Sequence, residues 1–303
     1  MPGMYVESMD YDSSLDKTLS RLITAFHVLH QQGILDECGH ISVRNPQDPS
    51  TFFTSNIPAI LVSSKRHLNE WNVCDGSPVS LSTSGCQPVR EISAESEHYI
   101  HSCIYNRYPR VQSVVHSHCS SAIVYGLCNN PGSMLLASSQ MAGFLGDQTP
   151  IFDAADHYSG LPPTYPRNLN INHIKLGDAL ARTFNSHPEF DGVDVDGVDG
   201  IDDLPLHCTV FQRGHGFVTW ATSLEDAVYR AIHVRRDADI QTTAMVQRHH
   251  TDVHVVYLSE REAYDCKETI NRTSPATWAA WTAQTERSGY YRNDLRSSRV
   301  DGF

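Results

Sequence analysis

The chain is 303 residues long and 40% apolar, and its 35 acidic against 23 Lys and Arg side chains give a formal net charge of −12. That size and apolar content suffice for one sizeable core, so a single domain over 1–303 is expected. The acidic balance argues against a nucleic-acid partner, and no apolar run reaches the ~20 residues that span a membrane.

Met1 to Ser14 is polar and carries acids, unlike a secretory signal or transit peptide, so a flexible lead-in and a cytoplasmic location are expected. Asp16 to Gln32 follows as an amphipathic helix, with Leu19, Leu22, Ile23, Phe26 and Leu29 on one side and Gly33 as its C-cap. Ile41-Ser42-Val43 opens a hairpin broken at Asn45-Pro46. Ser93 to Tyr105 places Glu97, Ile100, His101 and Ile104 at helical spacing, Pro109 ends that helix, and Val111 to His118 reads as a buried strand. Leu127 to Pro166, rich in Gly, Pro and aromatics, is expected to carry substrate-facing loops, and Ile174 to Phe184 another helix.

Asp191 to Asp203 is a run of Gly and Asp without the ligand order of a calcium loop, and reads as a solvated surface insertion. His207 to Phe217 returns as a strand pair, and Glu225 to His249 as a long helix. Residues 250–303 form a helical extension whose Trp278, Trp281, Tyr290 and Tyr291 either pack on the body or neighbouring subunit or close as a lid over a flat substrate. The eight cysteines stand singly with no Cys-x-x-Cys pair, so a cysteine–zinc site is not expected. Cys119 is the one thiol beside the candidate site.

Val114-Val115-His116-Ser117-His118 concentrates the chemistry. Side chains alternate across a strand, so His116 and His118 share a face. A third imidazole, His215, stands on the glycine-flanked turn Gly214-His215-Gly216. Three histidines can bind a metal and leave a coordination position open, as a catalytic metal requires. Glu97 offers a carboxylate as ligand or acid/base. Arg213 either orients a substrate carboxylate or pairs with a nearby acid, and His101 either supports the site by hydrogen bonding or is a packed core residue.

Ser96-Glu97 with His101, Ile104-Tyr105, Pro109 and His116-Ser117-His118 resembles the signature of the class II aldolase/adducin family. Arg213-Gly214-His215-Gly216 followed by Ser223-Leu224-Glu225-Asp226-Ala227, and Gly39-His40-Ile41-Ser42-Val43-Arg44 near the N-terminus, match in the same order. The resemblance implies a three-layer α/β/α sandwich around a largely antiparallel sheet. It also implies a divalent metal, zinc first with manganese, cobalt or iron as alternatives, held by His116, His118 and His215, and Glu97 as ligand or acid/base. Homotetramers with active sites at subunit interfaces are implied as well.

The departures narrow the substrate. Sugar-phosphate members show Gly-Asn-Ile-Ser where this chain has His40, and a Thr/Ser-Gly pair where it reads Leu61-Val62-Ser63-Ser64-Lys65-Arg66. His40, Ser42, Ser63, Ser64 and Arg213 are the expected substrate contacts. The expected function is a metal-dependent carbon–carbon lyase, of aldol or decarboxylase type, on a small non-phosphorylated carbonyl or carboxylate compound. A non-haem iron oxygenase on the same histidines, or a non-catalytic adducin-like interaction module, are the alternatives.

Overall fold

The computed structural model describes residues 7–79, 86, 96–127, 134–186, 204–248 and 254–296. The run Asp191 to Asp203, expected as a surface insertion, lies outside the described residues.

Helix α1 (Glu7–Gln31) starts nine residues before the expected Asp16. Glu7 to Ser14, expected as a flexible lead-in, therefore form its first two turns. Leu15, Leu19, Leu22, Ile23, Phe26 and Leu29 are buried along it, and Gly33 takes the left-handed conformation (φ +66°) that releases the chain toward the sheet. A hairpin of β1 (His40–Arg44) and β2 (Thr51–Thr54) follows, then β3 (Asn69–Asn72). Helix α2 (His98–Arg107) stops two residues short of Pro109, and β4 (Ser113–Ser117) runs fully buried behind it. Helix α3 (Ser120–Leu127), the short β5 (Ile151–Phe152) and α4 (Ile174–Thr183) lead to a second hairpin, β6 (Thr209–Gln212) and β7 (Gly216–Ala221). The long helices α5 (Leu224–Arg248) and α6 (Glu260–Arg287) close the fold.

The seven strands form one sheet in the order β3-β2-β1-β4-β7-β6-β5. Every pairing is antiparallel except β5 with β6. Alternation along β1 divides the molecule into layers. Ser42 points to α2, where its hydroxyl meets His101 and Tyr105, while α1 and α5 pack together and cover the sheet from the opposite face. This is the α/β/α sandwich expected.

At the periphery one expectation changes and one pair of alternatives resolves. The described part of Leu127 to Pro166 does not line the metal cavity. Its first part packs under α5 and α6, where Gln241 holds the Leu136 amide, Asp237 the Ser138 amide, and the turn Gln140–Leu145 lies on α6; its second part pairs Ile151–Phe152 with β6 and sets the turn Ala154–His157 against α4. Of the C-terminal aromatics, Trp281 packs against Tyr229 and His233 and Tyr291 against His27 and His30, on the body rather than as a lid, while Tyr290 is exposed.

Burial of imidazoles sets the acid limit of the fold. Burial pushes His98 and His233 down to about 4 and His101 to about 3, from an ordinary 6.5. The unfolded chain takes up these protons near pH 6.5 and the folded chain does not, so their contribution is complete above 6.5 and lost as pH falls toward 4. The urea midpoint is therefore expected to hold from pH 8 to 6.5 and to drop between 6.5 and 4. His233→Phe, on a ring already stacked on Tyr229 at 4.3 Å, should make that drop shallower. An equal drop in the variant would remove His233 from the account.

Candidate metal centre

Three elements deliver the site. The central strand β4 presents His116, and His118 stands one residue beyond its end. The β6–β7 turn, with Gly214 at φ +67°, swings His215 back over them. Gly216 makes this approach possible: a Cβ there would lie 2.0 Å from the Ser117 carbonyl oxygen, in backbone at φ +155°. Glu97 is not inside a helix, as its spacing predicts, but is the N-cap residue of α2. Its side chain makes no cap hydrogen bond and turns to the metal cluster instead.

The four side chains converge, with one ligand atom of each within 4.8 Å of all the others. Nε2 of His118 lies 2.9 Å from Nε2 of His116 and 3.2 Å from that of His215. Glu97 Oε2 lies 3.4 Å from His116 Nε2 and 3.5 Å from His215 Nε2. Its other oxygen, Oε1, accepts the Ile171 amide proton at 2.7 Å.

Outer partners decide which nitrogens carry protons. His116 Nδ1–H donates to the Phe217 carbonyl at 3.2 Å, and His118 Nδ1–H donates to the Asp36 carboxylate at 3.1 Å. A neutral imidazole has one N–H, so both Nε2 atoms are lone pairs. Two lone pairs at 2.9 Å cannot hydrogen-bond to each other, whereas a cation between them would satisfy both. Ligands on a four-coordinate ion with metal–nitrogen bonds of about 2.0–2.1 Å stand about 3.3 Å apart, so the observed spacings suit a shared ion. Carboxylate and carbonyl partners on ligand imidazoles are the usual support of a metal site.

Charge agrees with geometry. Burial pushes the Glu97 carboxyl up, but its contacts with the His116 and His215 rings, first as hydrogen-bond partners and then electrostatically, outweigh this and hold the group well below the usual carboxylate range. Burial pushes His116 down to about 4 against the pull of Glu97, so no proton resides there at neutral pH. The Glu97 carboxylate and the unprotonated His116 imidazole are thus both in the form that can meet a divalent cation.

The cluster opens on a cavity of ≈ 460 Å³ lined also by Asp36, His40, Asn56, His98, His101 and Asn170. Of the expected substrate contacts, His40 reaches it. Ser42 is fully buried behind it, bonded to His101 and Tyr105. Ser63 and Ser64 do not line it: the Ser63 amide donates to His67 Nδ1, and the Ser63 carbonyl accepts from the Asp294 amide. The following Lys65 is paired with Asp16. Arg213 pairs with Asp153 instead of facing the cavity. Asp36 is the site residue that sequence reasoning missed. Its one local signal is a turn, since its carboxylate accepts the Cys38 and Gly39 amides just ahead of β1.

The fold and this centre define a class. A family profile described as Class II Aldolase and Adducin N-terminal domain matches residues 20–242, and the chain belongs to that family. It is 36% identical over 280 residues to Decarboxylase tropJ of Talaromyces stipitatus, covering 89% of this chain and 95% of that one. It is 25% identical over 157 residues to the methylthioribulose-1-phosphate dehydratase of Sodalis glossinidius, covering 49% of this chain and 62% of that one. Among solved structures, the L-fuculose 1-phosphate aldolase of Glaciozyma antarctica superposes with a TM-score of 0.64 at 15% identity, covering 97% of each chain. An aldolase II superfamily protein of Pseudomonas syringae gives 0.62 at 18% identity, covering 91% of this chain and 94% of that one.

Proposed function

We propose that this chain is a metal-dependent decarboxylase acting on a small, non-phosphorylated carboxylic acid with a carbonyl or hydroxyl group near the carbon that loses CO2. The observation that carries this reading is the set of Nε2 lone pairs of His116 and His118 with His215 and Glu97 around one point. These four residues would hold the ion, zinc by preference on their N3O donor set, with manganese, cobalt or iron also compatible. A divalent cation bound there supplies electron withdrawal from a substrate oxygen as negative charge develops on carbon. Glu97 accepts a proton from a substrate hydroxyl or water and returns it to the carbon that has lost CO2. Asp36 and the Phe217 carbonyl keep the two imidazoles oriented.

Two features favour decarboxylation over sugar-phosphate chemistry. The most extensive curated match given above is to a decarboxylase. The Ser63–Lys65 segment, which would cradle a phosphate, has its first amide and its ammonium already engaged, and no Lys or Arg is among the described residues lining the cavity. The assembly we propose is a homotetramer. No helix among the described residues is long and apolar enough to cross a membrane.

The test is turnover of β-keto and ortho-hydroxyaryl carboxylic acids by zinc-loaded protein under nitrogen. CO2 released in equal amount to product, with no oxygen supplied, is the expected result. A requirement for dioxygen would assign an oxygenase, and turnover confined to phosphorylated substrates would return the chain to the aldolases.

A further inference from the structure

A line of buried hydrogen bonds ends at the cavity. Tyr105 OH lies 2.7 Å from Ser42 Oγ, Ser42 Oγ lies 2.7 Å from His101 Nδ1, and His101 Nε2 lies 2.6 Å from His40 Nδ1. Ser42 and His101 are fully buried and Tyr105 nearly so. His40 sits opposite His116 in the β1–β4 register, with ring centroids 5.1 Å apart, and it lines the cavity.

Each link holds one proton, so the line has one of two directions. Suppose Ser42 gives its proton to Tyr105. His101 must then donate from Nδ1 and accept at Nε2, and the phenolic proton is left with only the Gln112 carbonyl, at 3.5 Å. That distance is outside the range of a good O–H···O bond. In the opposite direction every link is satisfied. Tyr105 donates to Ser42, Ser42 donates to His101 Nδ1, and His101 donates from Nε2 to His40 Nδ1. A buried network that can satisfy all its members adopts that direction. His40 then accepts at Nδ1, carries its single proton on Nε2, and is neutral. Nε2 has no partner within the chain among the described residues and is left to the cavity.

We propose that His40 is a fixed hydrogen-bond donor to an oxygen of the substrate in the metal cavity, with Tyr105, Ser42 and His101 as positioning residues that dictate which of its nitrogens carries the proton. This inference rests on the lyase reading for its substrate but not for its direction. His40 complements Glu97: one side of the cavity offers a donor to an oxygen that gains negative charge, and the other a carboxylate that handles protons.

The test has a spectroscopic arm and a kinetic arm. In zinc-loaded full-length protein labelled with 15N-histidine, two-bond proton–nitrogen correlation near pH 7 should show an Nε2–H tautomer whose signals vanish in His40→Asn. Ser42→Ala should convert that signal to a mixture of tautomers. An Nδ1–H tautomer at His40 in the unsubstituted protein would overturn the proposal. In turnover, His40→Ala should keep its metal and lose about 10²–10³-fold in kcat, the effect of removing one donor to a developing oxyanion. His40→Asn, which keeps an N–H, should recover most of that loss. With the tautomer as expected but kcat unchanged in His40→Ala, the donor role fails and the lyase reading stands. Should the unsubstituted protein turn over none of the carboxylic acids, the lyase reading fails, and the tautomer still decides the direction of the line.

Discussion

Replacing both His116 and His118 by alanine is expected to reduce bound divalent metal from about one ion per chain to background and to lower turnover of the proposed carboxylic-acid substrates at least about 10³-fold, the equivalent of roughly 4 kcal/mol of charge stabilisation. Elemental analysis of the purified proteins reads the first effect, and turnover with added zinc the second. The geometry predicts a further sign. In metal-free protein the Nε2 lone pairs of these residues oppose each other at 2.9 Å, so the unsubstituted chain gains stability from metal and the variant does not. A ligand that binds only the folded state at a hundred times its Kd adds about 2.7 kcal/mol. A chelator should therefore lower the melting temperature of the unsubstituted protein and leave that of the variant where it was. Equal metal content in the two proteins, or equal chelator shifts, would remove these histidines from the metal site.

Much of the centre could be read from local pattern. The two-residue spacing of His116 and His118 places both imidazoles on one side of an extended segment, even though the regular strand ends at Ser117. Glycines flanking His215 signal a tight turn, and the structure uses both, Gly216 because β7 leaves no room for a Cβ beside Ser117. What local pattern could not supply were relations across the chain. Asp36 supports His118 from 82 residues away, and nothing in Asp36-Glu37-Cys38-Gly39 except its turn chemistry marks it. Ser42, next but one to His40, reads as a substrate contact from the sequence. It does share a face with His40, but it lies deeper under α2, where it bonds His101 and Tyr105, respectively 59 and 63 residues on, and does not reach the cavity. Ser63 and Ser64 fail for another reason: the C-terminal segment returns over them, with the Asp294 amide on the Ser63 carbonyl, and periodicity cannot foresee that closure. Periodicity places the start of α1 too late because its first turns carry Asp10, Asp12 and Ser13 in place of an apolar repeat.

The two oxygens of Glu97 have separate partners, and this gives Glu97→Gln a specific expected outcome. Oε1 accepts the Ile171 amide at 2.7 Å, and a glutamine carbonyl can keep that bond and the side-chain direction. Oε2, which faces His116 and His215, becomes an NH2 group that can neither ligate as an anion nor accept and return a proton. The fold should be unchanged, because the helix behind Glu97 draws no cap hydrogen bond from its side chain. Three imidazoles suffice to retain the ion, so metal content should stay near that of the unsubstituted protein, with affinity weakened by loss of the negative charge. Turnover should fall about 10²–10⁴-fold, the usual contribution of a positioned acid/base. The same substitution separates the two roles of the carboxylate. Metal lost together with activity would make Glu97 chiefly a fourth ligand, whereas metal and turnover both retained would leave it only the task of anchoring the Ile171 backbone. Metal retained with turnover lost is the expected result: the Ile171 amide fixes Oε1, so Oε2 is held at the opening of the cluster, where it can yield to substrate and then move the proton.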